Sequence, residues 1–334
     1  MKTITKTSFF LLLFFLPIVL AFLALCIGRY WIEPIQVYGA FLTFFGYPVE
    51  STVQSVVINI RLPRIILALL VGAGLAIAGA AFQSTFSNPL ASPDIIGVSS
   101  GAAFGASIGL LLFDTILPVQ ILAIVFGLIA IAITFTFTKV AHNDSILIIV
   151  LAGIIVAGFF TAMISLVKYL SDPLLKLPEI TFWLMGSLVG ANYNKILLSA
   201  PLLIIGIILL YLLKWRLNIL ALSIEEIQSL GLNPKYIRWI SIIAATFVVA
   251  ATVSICGQIG WVGLVIPHVA RLFVGSDNRD VIPACISIGA CYLLIIDTLC
   301  RTIAPSEIPL SIMTAAIGAP LFAFLFIKKG RNWL

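Results

Sequence analysis

Apolar residues come in long runs along this chain, separated by short polar stretches rather than alternating with them. Ten runs have roughly the 20 residues that a helix needs to cross a hydrocarbon core: 8–27, 61–83, 93–113, 117–139, 145–167, 195–213, 239–256, 258–275, 281–299 and 309–327. Only Gly257 and Gln258 separate the seventh from the eighth, so these two can also be read as one long tilted helix. Of the 334 residues, 62% are hydrophobic and 10% charged, and the mean hydropathy is +1.21. A soluble domain cannot keep a polar surface with that composition. The pattern predicts an all-α integral membrane protein, a single transmembrane domain over residues 1–334 with about ten helices, short loops and no soluble domain.

Charge placement orients the bundle. Cytoplasmic loops favour Lys and Arg, and ten spans put both termini on one side. With the termini inside, twelve of the nineteen basic residues are cytoplasmic: Lys2, Lys6, Lys139, Lys214, Arg216, Lys235, Arg238, Arg271, Arg279, Lys328, Lys329 and Arg331. Arg61, Arg64 and Arg301 fall outside, against the rule, and so invite a functional explanation. The first run ends in Leu23-Ala24-Leu25-Cys26, a faint lipoprotein-type site; Leu25 stands where a small residue is needed, so an uncleaved first helix is expected. The five cysteines lack metal-ligand spacing and read as small packing residues.

Several blocks interrupt the apolar runs. Gly97, Gly101, Gly105 and Gly109 recur every fourth residue, a stripe that predicts a tightly packed central helix. Gly97-Val98-Ser99-Ser100-Gly101 formally matches a hydrolase nucleophile elbow, but the elbow needs a strand-turn-helix context and activating Asp and His, which this helical, apolar setting lacks. Arg61-Leu62-Pro63-Arg64 opens the second span, Pro63 suiting a first helical turn and the arginines forming a fork presented to water. Residues 222–236 are the most polar inner stretch: Ser223 with Glu226 makes a capping box, Leu222, Ile227 and Leu230 give an apolar face, and Gly231 with Pro234 stops the helix. Asn88-Pro89 is a stop signal and Asp144 an N-cap. Asp297, one turn before Arg301, suits an i,i+4 pair or a proton carrier. Pro267, His268 and Arg271 sit inside an apolar run, and survive there only if neighbouring helices satisfy them.

Four of these blocks, Arg61 to Arg64, Asn88 to Ala106, Gly257 to Arg279 and Pro309 to Pro320, resemble the FecCD family, the permease subunits of ABC importers for siderophores, haem and vitamin B12. Gln258, Asn278 and Ser311 depart from that family's usual residues. The resemblance implies a type II ABC importer permease fold. It implies that Arg61, Arg64 and Arg301 meet carboxylates of a periplasmic or lipid-anchored substrate-binding protein, where the residues alone also allow snorkelling to lipid headgroups. It implies that Ser223, Glu226, Ser229, Leu230, Gly231 and Asn233 form the peg that docks an ATPase, where the residues alone also allow an interfacial linker. Asn88, Leu90, Ile146 and Leu147 are implied to close the cytoplasmic end of a pathway shared by two copies, where helix punctuation is the plainer alternative.

The expected protein is therefore a homodimeric subunit in the bacterial or archaeal cytoplasmic (inner) membrane, importing an iron-siderophore, haem, cobalamin or similar metal chelate by alternating access. Its partners are the lipid bilayer, two separate ATPase subunits and a binding protein; no cofactor, metal or nucleic acid is implied. The chain carries no Gly-x-x-x-x-Gly-Lys-Ser/Thr loop and so is not expected to be an enzyme. The alternative, an ion-coupled secondary transporter, needs ionisable residues at mid-membrane.

Overall fold

The computed structural model describes residues 6–43, 49–140, 146–222 and 224–329. It is helical throughout these residues: α1 (Lys6–Cys26), α2 (Pro34–Leu42), α3 (Ser51–Gln54), α4 (Leu62–Thr85), α5 (Val98–Leu112), α6 (Ile116–Val140), α7 (Ile146–Leu170), α8 (Lys176–Leu184), α9 (Tyr193–Leu212), α10 (Lys214–Ile219), α11 (Ile224–Ser229), α12 (Pro234–Cys256), α13 (Val262–Val274), α14 (Asn278–Cys300) and α15 (Leu310–Lys329). A π-helical stretch, Ser55–Arg61, joins α3 to α4, so the second span continues a helix that begins outside the apolar run. Among the described residues seven helices are long and apolar enough to cross a membrane, and Val98–Leu112, Val262–Val274 and Leu310–Leu325 are shorter apolar helices.

Small residues decide which helix is central. The glycine stripe of the third run lies on α5, most of whose residues are buried, and α4 is the most enclosed of the long spans: 83% of the most apolar window of Ser51–Thr85 is buried, against 33% for α6 and 22% for α1. The reason lies in how the glycines are distributed around each helix. On α5, Gly101, Gly105 and Gly109 all face α6, where an added Cβ would stand 2.6 Å from Phe126 O, 2.1 Å from Leu122 O and 2.7 Å from Val119 Cα. On α4, a Cβ at Gly72 would meet Gly289 O of α14 at 2.3 Å, one at Gly79 would meet Gly263 O of α13 at 1.9 Å, and one at Gly74 would meet Val248 of α12 at 3.1 Å. Two neighbours, α14 and α13, therefore approach α4 at backbone distance, and α12 packs a side chain against it.

Gly97 stands apart from that stripe. It is the N-cap of α5 at φ 85°, a left-handed conformation that favours glycine, and it lies against Gly153 and Val156 of α7. The seventh and eighth apolar runs are two helices: α12 ends at Gly257 (φ 72°), and α13 begins after Trp261, itself at φ 71°.

The bundle has two ends. One, the arginine end, gathers the C-termini of α1, α12 and α14 with the N-terminus of α4. The other, the foot end, gathers α10, α11, the C-termini of α4 and α13 and the start of α14. Replacing Gly79 by Val should cost at least the 1–3 kcal/mol typical of overpacking, read as a lowered unfolding temperature in detergent. Gly158→Val, at a site with nothing within 4 Å, should leave that temperature unchanged; equal effects of the two would refute the close-approach account.

Candidate functional site

Arg61, Arg64 and Arg301 do come together, but as a buried cluster. The expected fork presented to water is corrected: the three residues are only 4%, 9% and 8% exposed. In an apolar bundle a guanidinium has no water to bind and must find acceptors in the chain. Arg64 Nε lies 3.0 Å from both oxygens of Asp297, and Nη2 is 2.9 Å from Oδ1. Arg64 Nη1 donates to Glu307 Oε1 at 2.9 Å, while Glu307 Oε2 sits 2.8 Å from Nη2 as an ion contact without hydrogen-bond alignment. Arg61 donates to the carbonyls of Leu25, Cys26 and Tyr30, capping the end of α1. Arg301 donates to Ala24 O, so Asp297 serves Arg64 rather than the i,i+4 partner expected from spacing. Nearby Arg29 is exposed and donates to Ala304 O.

At mid-depth two helices start inside the bundle. Residues 86–97 turn back after α4, and Thr134 Oγ1, six residues from the end of α6, donates to Ile96 O. At 1.5 Å per residue that places the start of α5 about 10 Å inside the bundle. Residues 257–261 descend from the arginine end, and Gln258 Nε2 donates to Ser99 O in the first turn of α5. Neither α5 nor α13 has a side-chain N-cap bond. Asp94 lies in the turn between them and is exposed, so it borders a recess at this interior break. Its Oδ2 lies 3.8 Å from where a Cβ on Gly260 would stand, and Ser99 is its hydrogen-bond neighbour.

The Pro267, His268, Arg271 block finds its partners here. Gln83 of α4 donates to Leu264 O, a carbonyl in the turn before Pro267, and accepts from Arg271. His268 Nε2 lies 2.9 Å from Pro89 O.

The foot is short and largely exposed. α11 ends in Ser229, whose hydroxyl donates to Glu226 O; Gly231 follows at φ 71°, and Asn233 caps α12 by accepting from Lys235 N and Tyr236 N ahead of Pro234. Ser223, and with it the expected capping box, lies outside the described residues. Of the expected apolar face only Ile227 is buried; Leu222 is 43% and Leu230 58% exposed. Asp277, the N-cap of α14, accepts from Asn218 at 2.6 Å and ties α10 to α14. The hydrogen bonds of Arg279, first from its side chain and then from its backbone, hold the Asp277 carboxyl well below the usual carboxylate range, so this tie is present at any pH above that range and is lost only in strong acid.

The four gate residues are less closely tied together. Asn88 spends its side-chain oxygen on Leu90 N at 2.9 Å, Leu90 and Leu147 are exposed, and the Ile146 side chain and Asp144 lie outside the described residues.

The family model described as the FecCD transport family matches residues 15–328. The chain belongs to that family. This FecCD chain is 41% identical over 320 residues to the molybdate import system permease MolB of Haemophilus influenzae, covering 95% of the chain and 94% of MolB. It is 38% identical over 278 residues to a probable iron chelatin transport permease of Helicobacter pylori, covering 83% of the chain and 84% of that protein. A solved structure described as an inward-facing metal-chelate-type ABC transporter superposes with a TM-score of 0.87 at 38% identity, covering 97% of the chain and 100% of the other. Other family relatives are permeases for haem and cobalamin. The FecCD chain is thus a multi-pass ABC importer permease, a class in which a separate subunit hydrolyses ATP.

Glu307, Gln83 and Asp94 are site residues that sequence reasoning missed. The available signal for each was a lone polar residue in or beside an apolar run, which needs a partner or a cavity. Removing one partner of a buried ion pair leaves the other charge uncompensated, at about 3–5 kcal/mol. Asp297→Asn should therefore unfold the protein at a much lower temperature, whereas Glu307→Gln, with its half-exposed side chain, should cost far less. Equal, small effects would show that the cluster is not a structural lock.

Proposed function

We propose that the chain is the homodimeric pathway subunit of an importer for a bulky metal chelate, an iron-siderophore, haem or cobalamin, moved by alternating access. The observation that carries this reading is the foot: two exposed leucines, Leu222 and Leu230, flank a short helix that is anchored to the bundle through Ile227. Exposed apolar residues beside a rigid turn suit a partner surface rather than water, and the partner that this family's mechanism requires there is an ATPase. In this reading the peg runs from Ser223 through Glu226, Ser229, Leu230 and Gly231 to Asn233.

The foot end is then cytoplasmic, since Lys214, Arg216, Lys235, Arg238 and Arg279 all lie in the segments there or beside them. Ten crossings follow if the non-helical stretches 91–97 and 257–261 complete those begun by α5 and α13. Asn88, Leu90, Ile146 and Leu147 close the pathway on that side, with Asp94 above them. At the arginine end a lipid-anchored or periplasmic binding protein docks. Arg61, Arg64 and Arg301 hold intrachain acceptors, so their contribution is a positive potential that steers carboxylates, and exposed Arg29 makes the contact.

The test is uptake into vesicles holding the chain with its ATPase and binding protein, offered a ferric siderophore, haem, cyanocobalamin and molybdate in turn. One chelate should accumulate, with ATP and binding protein both required. Accumulation of molybdate alone would remove the chelate reading, and accumulation under an ion gradient without nucleotide would replace the ABC mechanism by a secondary carrier. In the same vesicles Gly231→Val, strained at φ 71°, should keep ATP hydrolysis but cut uptake about tenfold, the effect of about 1.4 kcal/mol. Arg29→Glu should raise the binding-protein concentration needed for half-maximal uptake; no change in either variant removes the corresponding docking role.

A further inference from the structure

A second cavity, of about 380 Å³, lies between α6, α7 and α12, lined by Phe135, Thr138, Lys139, Ile149, Lys235, Arg238, Trp239 and Ile242. Two helix faces build it. Positions 135, 138 and 139 share a face of α6, and 235, 238, 239 and 242 share a face of α12, as i, i+3, i+4 and i+7 spacing requires. Along these faces the chemistry is graded. Lys139, Lys235 and Arg238 come from the last turn of α6 and the first turns of α12. Next come the rings of Phe135 and Trp239, 4.4 Å apart and tilted by 43°. The buried residue Ile242 and Ile149 of α7 form the deeper, aliphatic part. Among the described lining residues three are cationic and none is acidic.

Arg238 is half-buried, and its Nε is enclosed by protein with no hydrogen-bond partner, so a ligand in the cavity would meet the remaining N–H groups of the guanidinium. A ligand that matches cations at the rim, an aromatic collar and an aliphatic floor is an amphiphile with an anionic head. Basic recesses between helices at a membrane surface, walled by Trp, have the chemistry that holds lipid phosphates.

We propose that this recess binds the phosphate headgroup of an anionic glycerophospholipid in the leaflet at the foot end, with Arg238 and Lys139 on the phosphate and Trp239 against the glycerol region. The proposal does not depend on which cargo is moved.

The full chain, purified from a mixture of equal phosphatidylglycerol and phosphatidylcholine, should retain the former preferentially when its bound lipid is weighed by mass spectrometry. Each cation near a membrane surface contributes about fivefold in affinity, so Lys139→Gln with Arg238→Gln should weaken retention on the order of 30-fold. The charge-preserving pair Lys139→Arg with Arg238→Lys should keep it. Equal retention of both lipids by the wild-type chain, or an unchanged preference in the double Gln variant, overturns the proposal. Displacement by millimolar inorganic phosphate would mean a free-anion site, and loss of the lipid on assembly with the ATPase would mean a protein interface; either result also overturns it. If the double Gln variant does not fold, a photoreactive phosphatidylglycerol on the wild-type chain decides: adducts within 135–149 and 235–242 support the site, and adducts found only elsewhere exclude it.

Discussion

Arg64 and Asp297 bind each other through two or more short contacts at the arginine end, and this pair joins α4, the most enclosed of the long spans, to α14. In an apolar bundle the pair sets a condition on everything around it, because neither charge tolerates the loss of the other. Glu307 reaches in from the 301–309 loop, Arg301 turns to the end of α1, and Arg61 caps the same end from the opposite side. The result is a rigid junction of α1, α4, α14 and the loop before α15. This end is therefore a preformed junction rather than a set of flexible arginines.

The same requirement shapes the middle of the molecule. Where α13 contains Pro267, Gln83 donates to the neighbouring Leu264 O and at the same time occupies Arg271. Where α4 and α13 pass at backbone distance, glycines remove the side chains that would hold them apart. Close packing around α4 and the two helix starts at mid-depth are therefore compatible: backbone leaves its helix only where protein atoms line it. Asp94 sits in this interior break, so the one carboxylate among these turns faces a recess rather than lipid. At the foot end the arrangement is opposite, with capped turns, exposed leucines and an Asp277 to Arg279 contact at the surface.

How much was legible in the chain depends on the range of the interaction. Gly231 as a helix stop was readable because its effect is local; Pro234, read as part of the same stop, instead opens α12 with Asn233 as its cap. The break at Gly257 was visible but left open, since one glycine does not say whether a helix bends or ends; the left-handed Trp261 after it settled the point. The arginines were grouped correctly but given the wrong environment. Arg64 is 233 positions from Asp297 and 243 from Glu307, and no local pattern announces either partner. The glycine stripe identified the close contact of α5 with α6, but a stripe reports one neighbour, so the backbone-close approaches to α4 were not visible in it.

Composition and run length by themselves determined that the chain is a helical membrane protein, since a hydrocarbon solvent allows no other use of so many apolar runs. Four separated blocks were enough to place it in its family. Only the tertiary structure decided which polar groups answer one another and which of them reach water. Charge pairing, burial and the placement of Asp94 are properties of surfaces brought together from distant parts of the chain, and sequence order does not carry that information.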